Sequence, residues 1–129
     1  MSVLTEWVAL GTTVLDRVAH TPLLRLEGVQ ILGKAEWANP SGSLQDRAAA
    51  RIVADAQQRR LLGPAKGLLD ATSGNMGIAY AMFGAALGFR VTLCVSAKVS
   101  PEGKRMLAGY GAEVLWTSPA DGSDARASC

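Results

Sequence analysis

From residue 31 onward, short strand-like runs alternate with segments whose apolar residues recur at helical spacing. Four short runs have the branched and apolar composition of buried β-strands, and they cover residues 31–37, 67–71, 90–96 and 112–117. The segments between them carry apolar residues at helical spacing, which indicates helical crossovers between parallel strands. The pattern therefore predicts an α/β fold, a three-layer parallel sheet of about four strands. Earlier in the chain, residues 23–26 could form a strand that turns back through 27–28.

Capping residues mark where the crossover helices begin and end. Ser43 and Asp46 have the spacing of a capping box, in which the hydroxyl accepts from an exposed amide and the acid reaches back, so the first helix should begin there. Gly88 should end the second helix. Ser100 and Gly111 should cap the third helix at its start and its end.

Length and composition limit the classes of protein to consider. The chain has 129 residues, of which 49% are hydrophobic and 19% charged, so we expect a single domain over residues 1–129 with an irregular tail at 121–129. A net charge of +2 is too small to indicate nucleic acid or a membrane surface as partner. No apolar run approaches the roughly 20 residues that span a bilayer. Without a secretory signal at the start, we expect a cytoplasmic protein in which Cys94 is a buried residue.

Two loops lie where ligands bind in open parallel sheets, between the carboxyl end of a strand and the start of a helix. They are residues 39–47 and 71–77. In the second loop, Thr72, Ser73 and Asn75 carry hydrogen-bonding side chains around a helix N-terminus, which is suited to a carboxylate or a phosphate. The alternative is that Ser73 or Asn75 simply caps that helix.

Four segments, taken together and in order, resemble one family of enzymes. They are residues 20–26, 39–47, 72–77 and 110–114, and they are similar to the cysteine synthase and cystathionine β-synthase family, the fold type II enzymes that use pyridoxal phosphate (PLP). The resemblance implies the small domain of that fold and a β-replacement on an activated serine, with PLP as the electron sink. Only the N-terminal part of the family pattern is present, so we expect a truncated chain.

The resemblance also implies roles for the second loop. The residues that would grip the substrate carboxylate are Thr72, Ser73, Gly74, Asn75 and Met76. Of these, Asn75 would also bond the ring hydroxyl of the cofactor.

Two positions depart from the family pattern. Gln45 stands where the family has the lysine that forms the Schiff base, and a primary amide can neither form that imine nor act as a base at neutral pH. Met76 stands where cysteine synthases commonly have threonine, so a hydroxyl donor is replaced by a thioether. We therefore expect no covalent PLP and no normal PLP catalysis. Lys34 does not substitute, because an ion pair with the neighbouring Glu36 is expected.

Three functions remain open at this stage. The first is a truncated cysteine synthase-like protein that takes a small amino acid or another anion. The second is a non-catalytic interaction protein that self-associates as a homo-oligomer through exposed apolar surface. The third is an enzyme of another class, such as an NAD(P)-dependent oxidoreductase, that uses the two loops as a phosphate or nucleotide site.

Overall fold

The computed structural model describes residues 13–72 and 74–118. Within these ranges the strands are β1 (Leu23–Arg25), β2 (Leu32–Lys34), β3 (Leu68–Thr72), β4 (Val91–Ser96) and β5 (Glu113–Thr117). The α-helices are α1 (Gln45–Gln58), α2 (Asn75–Leu87) and α3 (Pro101–Gly109). Short 3₁₀ turns cover Val14–Arg17 and Glu36–Ala38.

The parallel sheet has the order β3-β4-β5, and α2 and α3 form its two crossovers. Its register pairs Ala71 with Cys94 and Cys94 with Leu115. The α/β fold with a parallel sheet and helical crossovers is thus confirmed, and three of the four predicted strands belong to that sheet.

The predicted first strand, residues 31–37, does not join the parallel sheet. Its central part is β2, which pairs antiparallel with β1 so that Leu23 lies opposite Lys34. The chain reverses between the two strands, where Gly28 adopts a left-handed φ of 80°. The prediction of a fourth parallel strand was wrong because a short hairpin satisfies the same backbone groups locally. The strand expected at residues 23–26, turning back through 27–28, is confirmed.

Both crossover helices cover the same face of the sheet. Gly77 of α2 packs on Thr72 and Leu93, and the ammonium of Lys104 in α3 lies 5.2 Å from the ring centre of Trp116. These strand residues share one face by register, because successive side chains alternate. On the other face Leu69 is 69% and Leu115 48% exposed. Among the described residues the expected three-layer arrangement is therefore incomplete, because their helices supply a layer on one face only.

Helix α2 is the centre of the hydrophobic core. Its residues from Gly77 to Gly84 are all buried, and it packs against α1, α3 and the sheet. Two glycines permit the close approach. A Cβ on Gly77 would lie 2.5 Å from Thr72 Cγ2, and one on Gly84 would lie 2.5 Å from Val91 Cγ2 and 2.9 Å from the Phe89 carbonyl oxygen.

The predicted ends of α2 and α3 are confirmed. Helix α2 stops before Gly88, which has a left-handed φ of 77°. At the start of α3 the hydroxyl of Ser100 accepts from the amide of Gly103 at 3.1 Å. Gly111, just beyond α3, has a φ of 74°.

Three further expectations concern Cys94, the tail of the chain and membrane-spanning segments. Cys94 is buried within β4, as expected. The tail predicted at residues 121–129 lies outside the described residues. Within the described part of the chain, every helix is too short or too polar to traverse a lipid bilayer.

We predict that Gly84→Ala lowers the free energy of unfolding by about 1–3 kcal/mol, because the added methyl group meets a backbone carbonyl that cannot turn aside. Urea denaturation followed by circular dichroism measures the change. Gly109→Ala is the matched control, since nothing lies within 4 Å of a Cβ at that position, and it should be neutral or slightly stabilising. Equal stability of Gly84→Ala and the original chain would contradict the close packing of α2.

Candidate functional site

A cleft of about 420 Å³ opens where β3 and β4 end and α2 and α3 begin. This is the edge at which open parallel sheets bind ligands. The residues that line it come from the start of α1, the start of α2 and the segment that leads into α3. They are Gln45, Gly74, Asn75, Met76, Ile78, Lys98, Val99, Ser100 and Gly103. The two loops identified in the sequence thus contribute to one cleft.

The turn from β3 into α2 is organised by Thr72 rather than by Asn75. Thr72 Oγ1 accepts from the amides of Gly74 at 3.4 Å and Gly77 at 3.2 Å. Gly74 is the N-cap residue and has a φ of 146°, a conformation that a residue with a Cβ rarely adopts. Asn75 is the first residue of the helix, so the alternative in which it caps α2 is wrong. Ser73 lies outside the described residues.

The start of α2 leaves donors available to the cleft. Among the described residues, neither the amide nor the side chain of Asn75 meets a hydrogen-bond partner, and the amide of Met76 meets none. The partial positive charge of a helix N-terminus favours an anion at such a position. Gly74, Asn75 and Met76 line the cleft, and carboxylate binding by them stays a prediction, whereas Thr72 supports the turn through its hydroxyl.

The loop before α1 is held by a buried carboxylate. Asp46 is 0% exposed and accepts from the amide of Ser41 at 2.8 Å and from the Ser41 hydroxyl. The predicted capping box was therefore only half right. Ser43 Oγ does accept from the amide of Gln45 at 3.2 Å, but the acid reaches to Ser41 because the loop curls back over the helix start.

A second anchor on this loop is the bidentate ion pair between Arg47 and Glu36, called the fork below. Arg47 Nε and Nη2 donate to the two carboxylate oxygens of Glu36 at 3.0 and 2.9 Å, and Nη2 also donates to Thr21 Oγ1 at 3.1 Å. Asn39 adds a donor to the same carboxylate at 2.7 Å. These bonds, with that of Arg47 the largest cause, lower the pKa of Glu36 from its usual 4.5 to about 2.

The expected pair between Lys34 and Glu36 is not formed. Lys34 Nζ donates instead to the carbonyl of Thr21, because successive bonds to Arg47 and Asn39 already occupy the Glu36 carboxylate. Lys34 is thus part of the hairpin base and not of the cleft.

Gln45 lies directly before the two anchoring residues of α1, Asp46 and Arg47. The helix start is therefore held against the hairpin base, and Gln45, half-buried, lines the cleft together with the α2 turn. An amide side chain cannot form an imine. The cleft as it stands does not fit covalently held PLP at this position, and we assign no reaction step to that cofactor.

Lys98 was missed by the sequence analysis. It follows the carboxyl end of β4, as the predicted loops follow other strands, and that position was the signal that could have found it. It is exposed and lines the cleft with Ser100, while none of the acidic residues that the structure describes does so. No group of His, Cys, Asp and Glu side chains within residues 13–72 and 74–118 is arranged to hold a metal ion.

Comparison with known proteins agrees with this arrangement. Residues 14–129 match the family described as "Pyridoxal-phosphate dependent enzyme". The chain belongs to this family. Among curated relatives, a cysteine synthase from Aquifex aeolicus is 44% identical over an alignment of 121 residues, and the match covers 87% of this chain and 37% of the relative.

Solved structures of the family resemble the fold closely. O-ureido-L-serine synthase is 34% identical with a TM-score of 0.80, and the match covers 88% of this chain and 38% of that one. Cysteine synthase from Entamoeba histolytica is 29% identical with a TM-score of 0.85, covering 99% of this chain and 41% of that one. The chain thus spans about two-fifths of the length of these relatives.

We predict that Glu36→Gln flattens the dependence of stability on acid pH. A carboxyl group whose folded pKa is lowered stabilises the fold above its unfolded pKa, and that contribution declines as pH falls from 4.5 towards 2. Thermal unfolding between pH 6 and pH 2 should show a smaller loss for the variant than for the original chain. The control is Glu102→Gln, whose exposed pair with Arg105 is 3.0 Å long and should matter little. Identical pH profiles for the original chain and Glu36→Gln would contradict the role of the fork.

Proposed function

We propose that the chain is the amino-acid-binding lobe of a PLP-dependent β-replacement fold, and that it binds an activated serine reversibly without forming a Schiff base. The observation that carries the proposal is the cleft that Gln45 lines together with Gly74, Asn75 and Met76. Membership of the family and its cysteine synthase and O-ureido-L-serine synthase relatives support a serine-derived ligand.

The α-carboxylate is the part of the ligand that this cleft suits best. The amides of Asn75 and Met76 have no acceptor among the described residues, and they stand at the positive end of α2. Charge-assisted hydrogen bonds from backbone amides are stronger than neutral ones. Met76 adds an apolar thioether, so the site contacts the ligand without a hydroxyl at that position.

Gln45 determines what the cleft does after binding. Its amide can donate to a carboxylate or a carbonyl, but it cannot take up a proton at neutral pH. The lobe therefore holds and orients the amino acid and does not move its α-proton. Turnover of the kind performed by whole enzymes of the family is not assigned to these residues.

Binding of O-acetyl-L-serine tests the proposal directly. We expect the ¹⁵N-labelled chain to bind it with a dissociation constant on the order of millimolar, since the contact is small. The amide signals of Gly74, Asn75 and Met76 should shift most. Asn75→Ala should weaken binding by about tenfold, because a donor to the carboxylate is lost.

Gln58→Ala is the matched control, because this exposed amide lies at the far end of α1 and does not line the cleft. It should bind as the original chain does. Absence of shifts at residues 74–76 would contradict carboxylate binding. Separately, the unaltered chain can be mixed with PLP and treated with borohydride. A pyridoxyl group then found covalently attached to a cleft residue would contradict the non-covalent part of the proposal.

A second candidate function is a self-associating interaction protein, and the β1–β2 hairpin favours it. The hairpin and its turn expose large aliphatic side chains by 42–60%, namely those of Leu23, Leu24, Leu26, Val29, Ile31 and Leu32. A two-stranded hairpin alone is marginally stable in water, and a contiguous apolar patch commonly marks an interface. A homodimer that buries the hairpin would stabilise its two strands and would cover the apolar patch.

Light scattering at micromolar concentration should therefore give the mass of a dimer or a larger oligomer. Replacing Leu23 and Leu32 together by threonine should shift the mass towards the monomer, because threonine keeps β-propensity and removes apolar surface. Leu61→Thr, at an equally exposed leucine outside the hairpin, should leave the mass unchanged. A monomer for the original chain would rule this candidate out.

A further inference from the structure

Among the described residues, a single side chain sets the charge of the cleft. Of the described residues that line it, Lys98 alone is ionisable, and no ion pair of Lys98 occurs within the same part of the chain. The acid at the start of α3, Glu102, pairs with Arg105 at 3.0 Å. The ammonium of Lys98 is thus left available to a ligand, on the wall formed by the segment between β4 and α3.

This charge discriminates between activated serines. A serine ester with a neutral acyl group is a zwitterion, and its ammonium meets no carboxylate among the described residues that line the cleft. A serine phosphate carries a further charge of about −1.5 to −2 at neutral pH and three acceptor oxygens. Both ligands carry the same α-ammonium, so its repulsion by Lys98 does not separate them, whereas the attraction of Lys98 for the phosphate is available to the second ligand alone.

We propose that Lys98 is a specificity-determining residue, which makes the cleft prefer a serine whose hydroxyl carries a phosphate over one that carries an acetyl group. The inference rests on the proposed function, in which the turn at residues 74–76 holds the α-carboxylate. Lys98 lies on the neighbouring loop, after β4, so the two groups of one ligand meet separate walls. The cleft volume of about 420 Å³ accommodates both groups.

Titrations followed by NMR separate the contributions. The ligands are O-phospho-L-serine, O-acetyl-L-serine, phosphoethanolamine, which lacks the carboxylate, and inorganic phosphate. We expect O-phospho-L-serine to bind about three- to tenfold more tightly than O-acetyl-L-serine at low salt. The preference should shrink in 0.5 M sodium chloride, because the ammonium is exposed and screened.

Variants test the residue itself. Lys98→Gln should bring the affinity for O-phospho-L-serine to that for O-acetyl-L-serine, and Lys98→Arg should restore the preference. Lys66→Gln is the control, since Lys66 is an exposed lysine outside the cleft that donates to the carbonyl of Arg60. It should leave the preference unchanged.

The outcomes distinguish the two proposals. Equal affinity for the two serine esters, unaltered by Lys98→Gln, would overturn the role of Lys98 and leave the proposed function standing. Failure of both esters to shift residues 74–76 would overturn the proposed function as well. If inorganic phosphate or phosphoethanolamine binds as tightly as O-phospho-L-serine, the cleft binds phosphate without reading the amino acid, which also overturns the inference.

Discussion

The close approach of α2 to the sheet is the constraint on which the rest of the structure depends. It is possible because Gly77 and Gly84 place no side chain where the strands and the Phe89 carbonyl lie. The same approach brings the start of α2 to the end of β3, where Thr72 accepts from two amides of the turn. Packing in the core and the geometry of the cleft are therefore set by one contact surface.

A network of polar side chains holds the start of α1 in place. Asp46 and Arg47 bond in different directions, to Ser41 and to Glu36, and Gln45 lies directly before them. The polar network is largely satisfied, which offsets the cost of removing charged groups from water. The position of residue 45 is thus defined independently of which side chain stands there, and the chemistry of the cleft depends on that side chain.

The cleft that results combines a geometry known from a family with a different set of functional groups. The amides at the start of α2 are suited to a carboxylate, whereas Gln45 supplies no amine and Lys98 supplies a cation on another wall. Binding and chemistry are separable properties of such a site, because a group that orients a ligand need not exchange protons with it. We infer a lobe whose selectivity is electrostatic.

The sequence by itself determined the features that depend on residues close together in the chain. The spacing of apolar residues gave β3 to β5, and the caps Gly88 and Ser100 defined helix ends, because these signals act within a few residues. The tertiary structure decided which groups pair across the chain. The direction of β2 and the bond from the Ser41 amide to Asp46 depend on contacts that spacing does not encode.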